Sequence, residues 1–204
     1  ITVNTLPRTN EYPALREYFE FLGTVKPDAL IIADAGVFAL AREVLPETEI
    51  HVSTQAGIVS AADCLFWRSL GAKRAVLARE LSLDEIIEMR RNVPDDFEIE
   101  TFVHGSMCVS FSGRCLLSNA LTGRDGNRGS CAQPCRWSYT ISEEKRKDSP
   151  MPIEETPDGT FIMSSKDLCM IEHIPELIRA GISSFKIEGR MKSAYYTAVV
   201  TNAY

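Results

Sequence analysis

The fold class that this sequence predicts is α/β with a parallel sheet, and three observations predict it. Short apolar runs alternate with amphipathic helical patterns through the first hundred residues, strand starts recur every 20 to 28 residues, and the strand runs end on polar or flexible residues. Parallel strands need a crossover of a dozen or more residues, usually a helix, and that requirement sets the spacing. With 204 residues, 45% of them hydrophobic, the chain is long enough for one domain with a core.

Taken in order, ITVN (1–4), ALIIAD (29–34), EIHVST (49–54), RAVLA (74–78) and EIETFV (98–103) read as buried strands. Helical patterns occupy 10–23, 36–45, 57–70 and 82–92. In the last of these Ser82 is placed to cap, Asp84 and Glu85 fill the first turn, and apolar residues follow at three- and four-residue steps. After Val103 the rhythm breaks. Residues 104–160 hold no long periodic segment; TFIMSS (160–165) then reads as a strand, 167–181 as a helix ended by Gly181, and SSFKIEG (183–189) as a strand. Residues 142–159 are charged and carry prolines, which marks an exposed linker or hairpin.

Asn4, Asp34, Thr54–Gln55, Arg79–Glu80, His104–Gly105 and Glu188–Gly189 stand where the chain leaves the sheet. Both a (β/α) barrel and a doubly wound sheet place ligands there, so the rhythm alone does not separate the two. No GxGxxG or GxxxxGK[ST] loop follows any strand, which weakens nucleotide binding of the dinucleotide or P-loop kind.

No apolar run approaches the roughly 18 residues needed to span a bilayer, and there is no secretory leader, so a cytoplasmic location without membrane contact is expected. A net charge of −6 makes the chain no general polyanion binder; contact with nucleic acid requires a local basic patch. Ile1 opens directly on a strand, and Tyr204 stops inside the helical pattern RMKSAYYTAVVTNAY without a cap. The sequence therefore reads as an excised part of a longer protein.

Five of the six cysteines fall between His104 and Cys169, in the pattern Cys108-x6-Cys115-x15-Cys131-x3-Cys135-x33-Cys169. Without an export signal a disulfide framework is disfavoured. Metal or iron–sulfur ligands, buried inert thiols and a nucleophile are the alternatives. The spacing is neither that of a zinc ribbon nor that of a bacterial ferredoxin run. A cluster needs four thiolates on a loop with free backbone N–H groups, and the loop is rich in glycine. Arg114, Arg124, Arg128 and Arg136 face a single acid, Asp125, and positive surroundings favour thiolate. Cys64, on an apolar helix face, reads as core.

Of the three histidines, His51 reads as structural and His173 as exposed. His104, leaving a strand into the cysteine loop, is a candidate ligand, acid/base group or packing residue. Lys186, Glu188, Arg190 and Lys192 crowd a strand-to-helix junction, which is either a salt-bridged strand end or an anion-capturing helix start.

The run ETFVHGSMCVSFSGRCLLS (100–118), with Glu and Phe before HG-[SA]-x-C, then SGxC and a Ser, resembles the signature of peptidase family U32. The resemblance continues through NRGSCAQPCRWSY (127–139), SSKDLC (164–169), KIEGRMKS (186–193) and the earlier NTL and ALIIADAGV segments, spanning essentially the whole chain. It implies one partial TIM-barrel-like domain over 1–204. In that domain the first two barrel strands are missing, a cysteine-rich insertion occupies 104–182 before the last strand, and 160–165 belongs to the insertion. It also implies a [4Fe–4S] cluster on Cys108, Cys115, Cys131 and Cys169, with Cys135 as the alternative ligand.

The family's collagenase-like peptidase members and its RNA- and ubiquinone-hydroxylating members imply different chemistries. Hydroxylation of a tRNA wobble uridine uses the thiols as cluster ligands and takes tRNA as partner. His104, Glu188 and Arg190 are then the candidate catalytic residues. Arg128, Arg136, Lys186 and Lys192 are the candidate substrate contacts, and Trp137 and Tyr139 either stack on a base or pack under the loop. A collagenase-like peptidase would take a peptide and pair Cys108 or Cys115 with His104. A third reading is non-enzymatic: a peptide-binding module whose cysteines hold zinc, as in a homodimer.

Overall fold

The computed structural model describes residues 1–108, 110–111, 114–137, 139–141, 145, 151–152, 167–190 and 192–204. Five parallel strands arrive in chain order: β1 (Thr2–Val3), β2 (Ala29–Ile32), β3 (Glu49–Val52), β4 (Arg74–Val76) and β5 (Glu98–Gly105). Between them run α1 (Tyr12–Val25), α2 (Ala35–Val44), α3 (Ala61–Ser69) and α4 (Leu83–Arg91). Past β5 come α5 (Leu117–Thr122), the antiparallel pair β6 (Thr140–Ile141) and β7 (Met151–Pro152), β8 (Leu168–Cys169), α6 (Ile174–Ala180), β9 (Ser184–Ile187) and α7 (Ala194–Ala203). β9 returns to pair in parallel with β5, so the six parallel strands form a curled α/β half-barrel, the coarse architecture of a TIM-type fold. Among the described residues no helix is long and apolar enough to cross a membrane.

Helix starts follow from local chemistry. Asp34 accepts the Val37 N–H at 2.9 Å to open α2, and the reciprocal pairs Ser60/Asp63 and Ser82/Glu85 open α3 and α4. Ser193 opens α7 by accepting the Tyr196 N–H at 3.2 Å. The helices close one face of the sheet. Leu30, Ile32, Ile50, Val52, Ala75, Leu77, Ile99 and Val103 pack there against Phe19, Leu22, Val37, Phe38, Ile86, Met89 and Leu177. Each such side chain contributes roughly 1.5–3 kcal/mol by leaving water. Cys64 belongs to this core, as expected, fully buried with Sγ 3.8 Å from Met89 Sδ.

Strand side chains alternate, so the opposite face carries Val76 and Phe102 beside a polar network. On it Glu100 receives Arg74 at 3.0 Å, Lys186 at 3.1 Å and the Ser184 hydroxyl at 3.0 Å. Burial opposes its charge, yet Lys186, Ser184 and Arg74 hold its carboxyl below the usual range.

Two expected elements differ. The helix read over 167–181 begins only at Ile174. Leu168 and Cys169 instead form β8, antiparallel to the end of β5, with Cys169 opposite His104 and Leu168 opposite Gly105, and a 3-10 turn follows at Ile171–His173. Pro175 sets the start of α6, since proline suits a first turn. The helix read over 57–70 begins at Ala61, because Gly57 takes φ +76° to close a 3-10 turn at Thr54–Ala56. The strand read at 160–165 lies outside the described residues, as does the linker 142–159 apart from Lys145 and Met151–Pro152.

Candidate functional site at the carboxyl ends of the strands

Three of the expected strand-end residues carry buried polar atoms with no hydrogen-bond partner among the described residues: Asn4 Oδ1 after β1, Gln55 Oε1 after β3 and Arg79 Nε after β4. Buried polar atoms are nearly always paired, so orphans collected at one end of a sheet mark a place prepared for something else. The Arg79 guanidinium lies 3.9 Å over the Phe102 ring and gives Nη1 to the Ser106 carbonyl at 3.2 Å. Burial pulls its pKa down, against the opposing pull of Glu188, Cys108 and Glu80.

Past Gly105 the cysteine loop lies over these strand ends. The thiol of Cys135 is pushed up, by burial first, with Arg136 opposing and the thiols of Cys108, Cys131 and Cys115 adding to the rise. Cys135 is thus the loop cysteine that feels three others. Leu117 N–H donates to Cys115 Sγ and Gln133 N–H to Cys131 Sγ, both at 3.3 Å, and Arg136 reaches Cys135 Sγ at 3.4 Å. Although burial opposes it, hydrogen bonds from Ser110, Leu117 and Ser118 bring the Cys115 thiol below its ordinary value. Cysteine sulfurs receiving N–H bonds on a loop of short turns fit the donor set of a thiolate-bound cluster. Among the described residues no three His, Cys, Asp or Glu side chains are drawn together as around a single metal ion.

Cys169 stands apart, exposed on β8, with its Sγ 3.9 Å from the Tyr204 hydroxyl. That phenol donates to the Val103 carbonyl at 2.8 Å, accepts the Met170 N–H at 3.1 Å and lies 3.2 Å from His104 Nδ1. His104 also faces Tyr196, at 6.0 Å between ring centres. It thus sits in an aromatic setting beside one cysteine, on the strand rather than beyond it.

The expected charged contacts have partners within the chain. Arg128 forks onto Glu11 and donates to the Leu6 carbonyl at 3.0 Å, tying the loop to the segment before α1. Arg136 bonds the Met107 carbonyl. Lys186 belongs to the Glu100 network, and Lys192 pairs with Asp167 at 3.3 Å while lying over Tyr196. The salt-bridged reading of the 186–192 junction thus describes Lys186 and Lys192. Glu188 accepts the Arg190 N–H at 3.1 Å. Tyr139 donates to the Pro134 carbonyl at 2.7 Å and stacks on Trp137, whose ring is half exposed.

Sequence reasoning gave no role to Asn127, Tyr196 or Tyr204, and marked Gln55 only as one of the strand-end set. Their signal was faint: a polar residue just after a strand, and tyrosines within a helix pattern. They line up only when the strands do. A cavity of about 630 Å³ beside the loop is walled by Leu6, Asp34, Gln55, Trp67, Arg114 and Asn127, among others.

Comparison with known proteins gives these residues a setting. The tRNA hydroxylation protein P1 of Bacillus subtilis (strain 168) is 43% identical over 204 residues, covering 100% of this chain and 48% of that protein. The tRNA hydroxylation protein P of Escherichia coli (strain K12) is 38% identical over 243 aligned residues, covering 100% of this chain and 53% of its own length. The chain thus spans about half the length of the curated relatives it matches. A solved U32 peptidase structure shares the fold at 15% identity with a TM-score of 0.51, over 91% of this chain and 65% of that one. The model of peptidase family U32 matches residues 1–204, and this chain belongs to that family.

Proposed function

We propose that this chain is part of an RNA-hydroxylating protein of the U32 family, acting on a tRNA uridine, and that its cysteine loop holds an iron–sulfur cluster. The observation that carries the reading is that one loop over the strand ends brings Cys115, Cys131 and Cys135 sulfurs to accept N–H bonds, beside strand-end atoms of Asn4, Gln55 and Arg79 that lack partners among the described residues. The names of the relatives, which concern tRNA hydroxylation, support the substrate class.

Cys108, Cys115 and Cys131 supply three ligands in this reading. Cys135 is the fourth in the loop as it stands, and Cys169, opposite His104, competes for the place. A bound [4Fe–4S] group would supply one-electron redox chemistry at the strand ends. The chain's own residues do the rest. Arg79, held over Phe102, offers positive charge near Cys108 and Glu188. His104, held by Tyr204, and Glu188, beside Arg190, are placed to hold or move a proton. Trp137 offers a half-exposed face on which an unpaired base can stack. The six parallel strands would correspond to strands three to eight of a complete barrel, with the segment between β5 and β9 as the extended crossover.

Hydrolysis has less to rest on. A peptidase needs a nucleophile within reach of its base, and the Nδ1 of His104 is turned to a tyrosine.

The test is purification of the full-length protein without oxygen. Brown protein with about four irons per chain is expected, and Cys108→Ser should lose both the iron and tRNA hydroxylation in cells. Colourless, iron-free protein, or a Cys108→Ser variant with full hydroxylation, would overturn the reading. Comparing Cys135→Ser with Cys169→Ser identifies the fourth ligand by which one loses iron.

A further inference from the structure

We infer that the cavity above β2 and β3 is a recognition pocket for one unstacked uracil base, with Gln55 reading its imide edge. The inference rests on the RNA-hydroxylation reading and adds where, and by which groups, the base is held.

At about 630 Å³ the cavity lies within the range of small-ligand sites, roughly 300–1,000 Å³. It opens at the carboxyl ends of β2 and β3, and its outer wall is the segment that carries Cys115. Arg114 and Leu116 flank that cysteine and line the cavity, and Asn127, also in the wall, gives Nδ2 to the Cys115 carbonyl at 3.3 Å. A base held here lies against the thiolate loop.

The walls suit a flat, neutral, mostly apolar ligand. Leu6, Ala33, Ala35, Ala56, Trp67 and Leu116 supply apolar surface, and Leu116 is 75% exposed at the rim, so covering it is favourable. One acid and one base, Asp34 and Arg114, balance in charge, which disfavours a bare phosphate or carboxylate. Oδ1 of Asp34 is committed, accepting the Val37 N–H at 2.9 Å and the Tyr12 hydroxyl at 3.3 Å.

Gln55 is not committed. Its Oε1 is buried with no partner among the described residues, an acceptor waiting for a donor. The amide beside it offers N–H, and Arg114, which lines the cavity, makes one long 3.4 Å contact with the Ala56 carbonyl among the described residues and brings five donors to the rim. One acceptor flanked by donors is the complement of uracil, whose N3–H lies between two carbonyls. Cytosine has a single carbonyl for those donors and brings an amino group in place of the second. Rejecting a ligand that leaves buried donors unpaired is the stronger form of discrimination.

The experiment uses the full-length protein with short oligouridylate and oligocytidylate as probes, titrated by fluorescence anisotropy, together with tRNA hydroxylation in cells lacking the native gene. Oligouridylate should bind about tenfold more tightly than oligocytidylate, a ratio equivalent to about 1.4 kcal/mol. Gln55→Leu should erase that ratio at an unchanged melting temperature. Gln55→Met, similar in length and without the amide, should do the same and serves if the leucine variant does not fold. Equal affinity of the wild type for both probes, or a ratio that survives both substitutions, overturns the pocket. The two readings separate in cells: wild-type protein that hydroxylates tRNA while the Gln55 variants do so equally well leaves the RNA reading standing and removes the pocket. Wild-type protein that modifies no RNA removes the reading beneath it.

Discussion

A methyl group on Gly105 would come within 2.3 Å of the Glu188 carbonyl oxygen, and Gly105 itself adopts φ +111°. The two strands that lead to the site, β5 and β9, are thereby pressed together at their carboxyl ends, where Glu188 N–H bonds the His104 carbonyl at 2.9 Å. Only glycine meets both demands. Gly105→Ala is expected to cost about 2–4 kcal/mol from backbone strain and displacement. Chemical denaturation should show it, and a variant within about 0.5 kcal/mol of wild type would mean the strand ends yield easily.

Arg90 is the buried charge that holds the turn after α4. It donates to the Phe97 carbonyl at 2.8 Å, to that of Pro94 at 2.6 Å and to that of Val93. Its contact with Asp95 at 3.8 Å adds little, because that acid is fully in solvent. Arg90→Met should leave the three carbonyls without their donor and lower stability by about 3–5 kcal/mol. Lysine should recover only a fraction, since an ammonium cannot fork among carbonyls as a guanidinium does. Full recovery by Arg90→Lys in thermal melts would show that charge, not geometry, is what matters.

Alkaline stability should depend on Cys64. Burial first, then the neighbouring Asp63, pushes its thiol up to about 12 from an ordinary value of 9.0, so the folded state retains the proton that the unfolded chain gives up. The stabilisation is fully present below pH 9.0 and is lost as pH rises toward 12, at about 1.4 kcal/mol per pH unit across that window. Cys64→Ala lacks the thiol. The stability gap between wild type and variant should narrow between those pH values when followed by denaturant midpoints. A constant gap would show that the buried thiol ionises without penalty.

The pairing of Glu11 with Arg128 separates two roles for that arginine. Hydrogen bonding to Arg128, and then to the Arg8 N–H, lowers the Glu11 carboxyl to about 2 from an ordinary 4.5. Its contribution is present above pH 4.5 and is lost as pH falls through about 2. Arg128→Gln should bring the Glu11 titration, read by carbon-detected NMR, back toward 4.5. If Arg128 serves RNA binding by tethering the loop, Glu11→Gln should weaken RNA affinity about as much as Arg128→Gln. If it contacts phosphate directly, Glu11→Gln should leave affinity unchanged or raise it.

The βα rhythm, the helix start at Ser82, the core position of Cys64 and the concentration of cysteines after His104 were all legible in the residues, because each rests on neighbours within a turn or a strand. The polar residues at strand ends were legible as a set for the same reason. Pairing decided the rest. Cys169 reads as helical in isolation, since DLCMIEHIPELIRAG has helical spacing, yet the unpaired end of β5 recruits it as a strand opposite His104. Arg128 reads as a substrate contact, and Lys186 as either that or a strand-end ion pair, until Glu11, 117 positions from Arg128, and Glu100, across a strand pair from Lys186, claim them. Gln55 was legible only as one strand-end residue among several, and only the closing of the loop over β3 buries its carbonyl oxygen without a partner among the described residues. Hydrophobic period and capping act over a few residues and so are written along the chain. Ion pairing, burial and the emptiness of a pocket depend on which distant segments meet, and the sequence does not list those meetings.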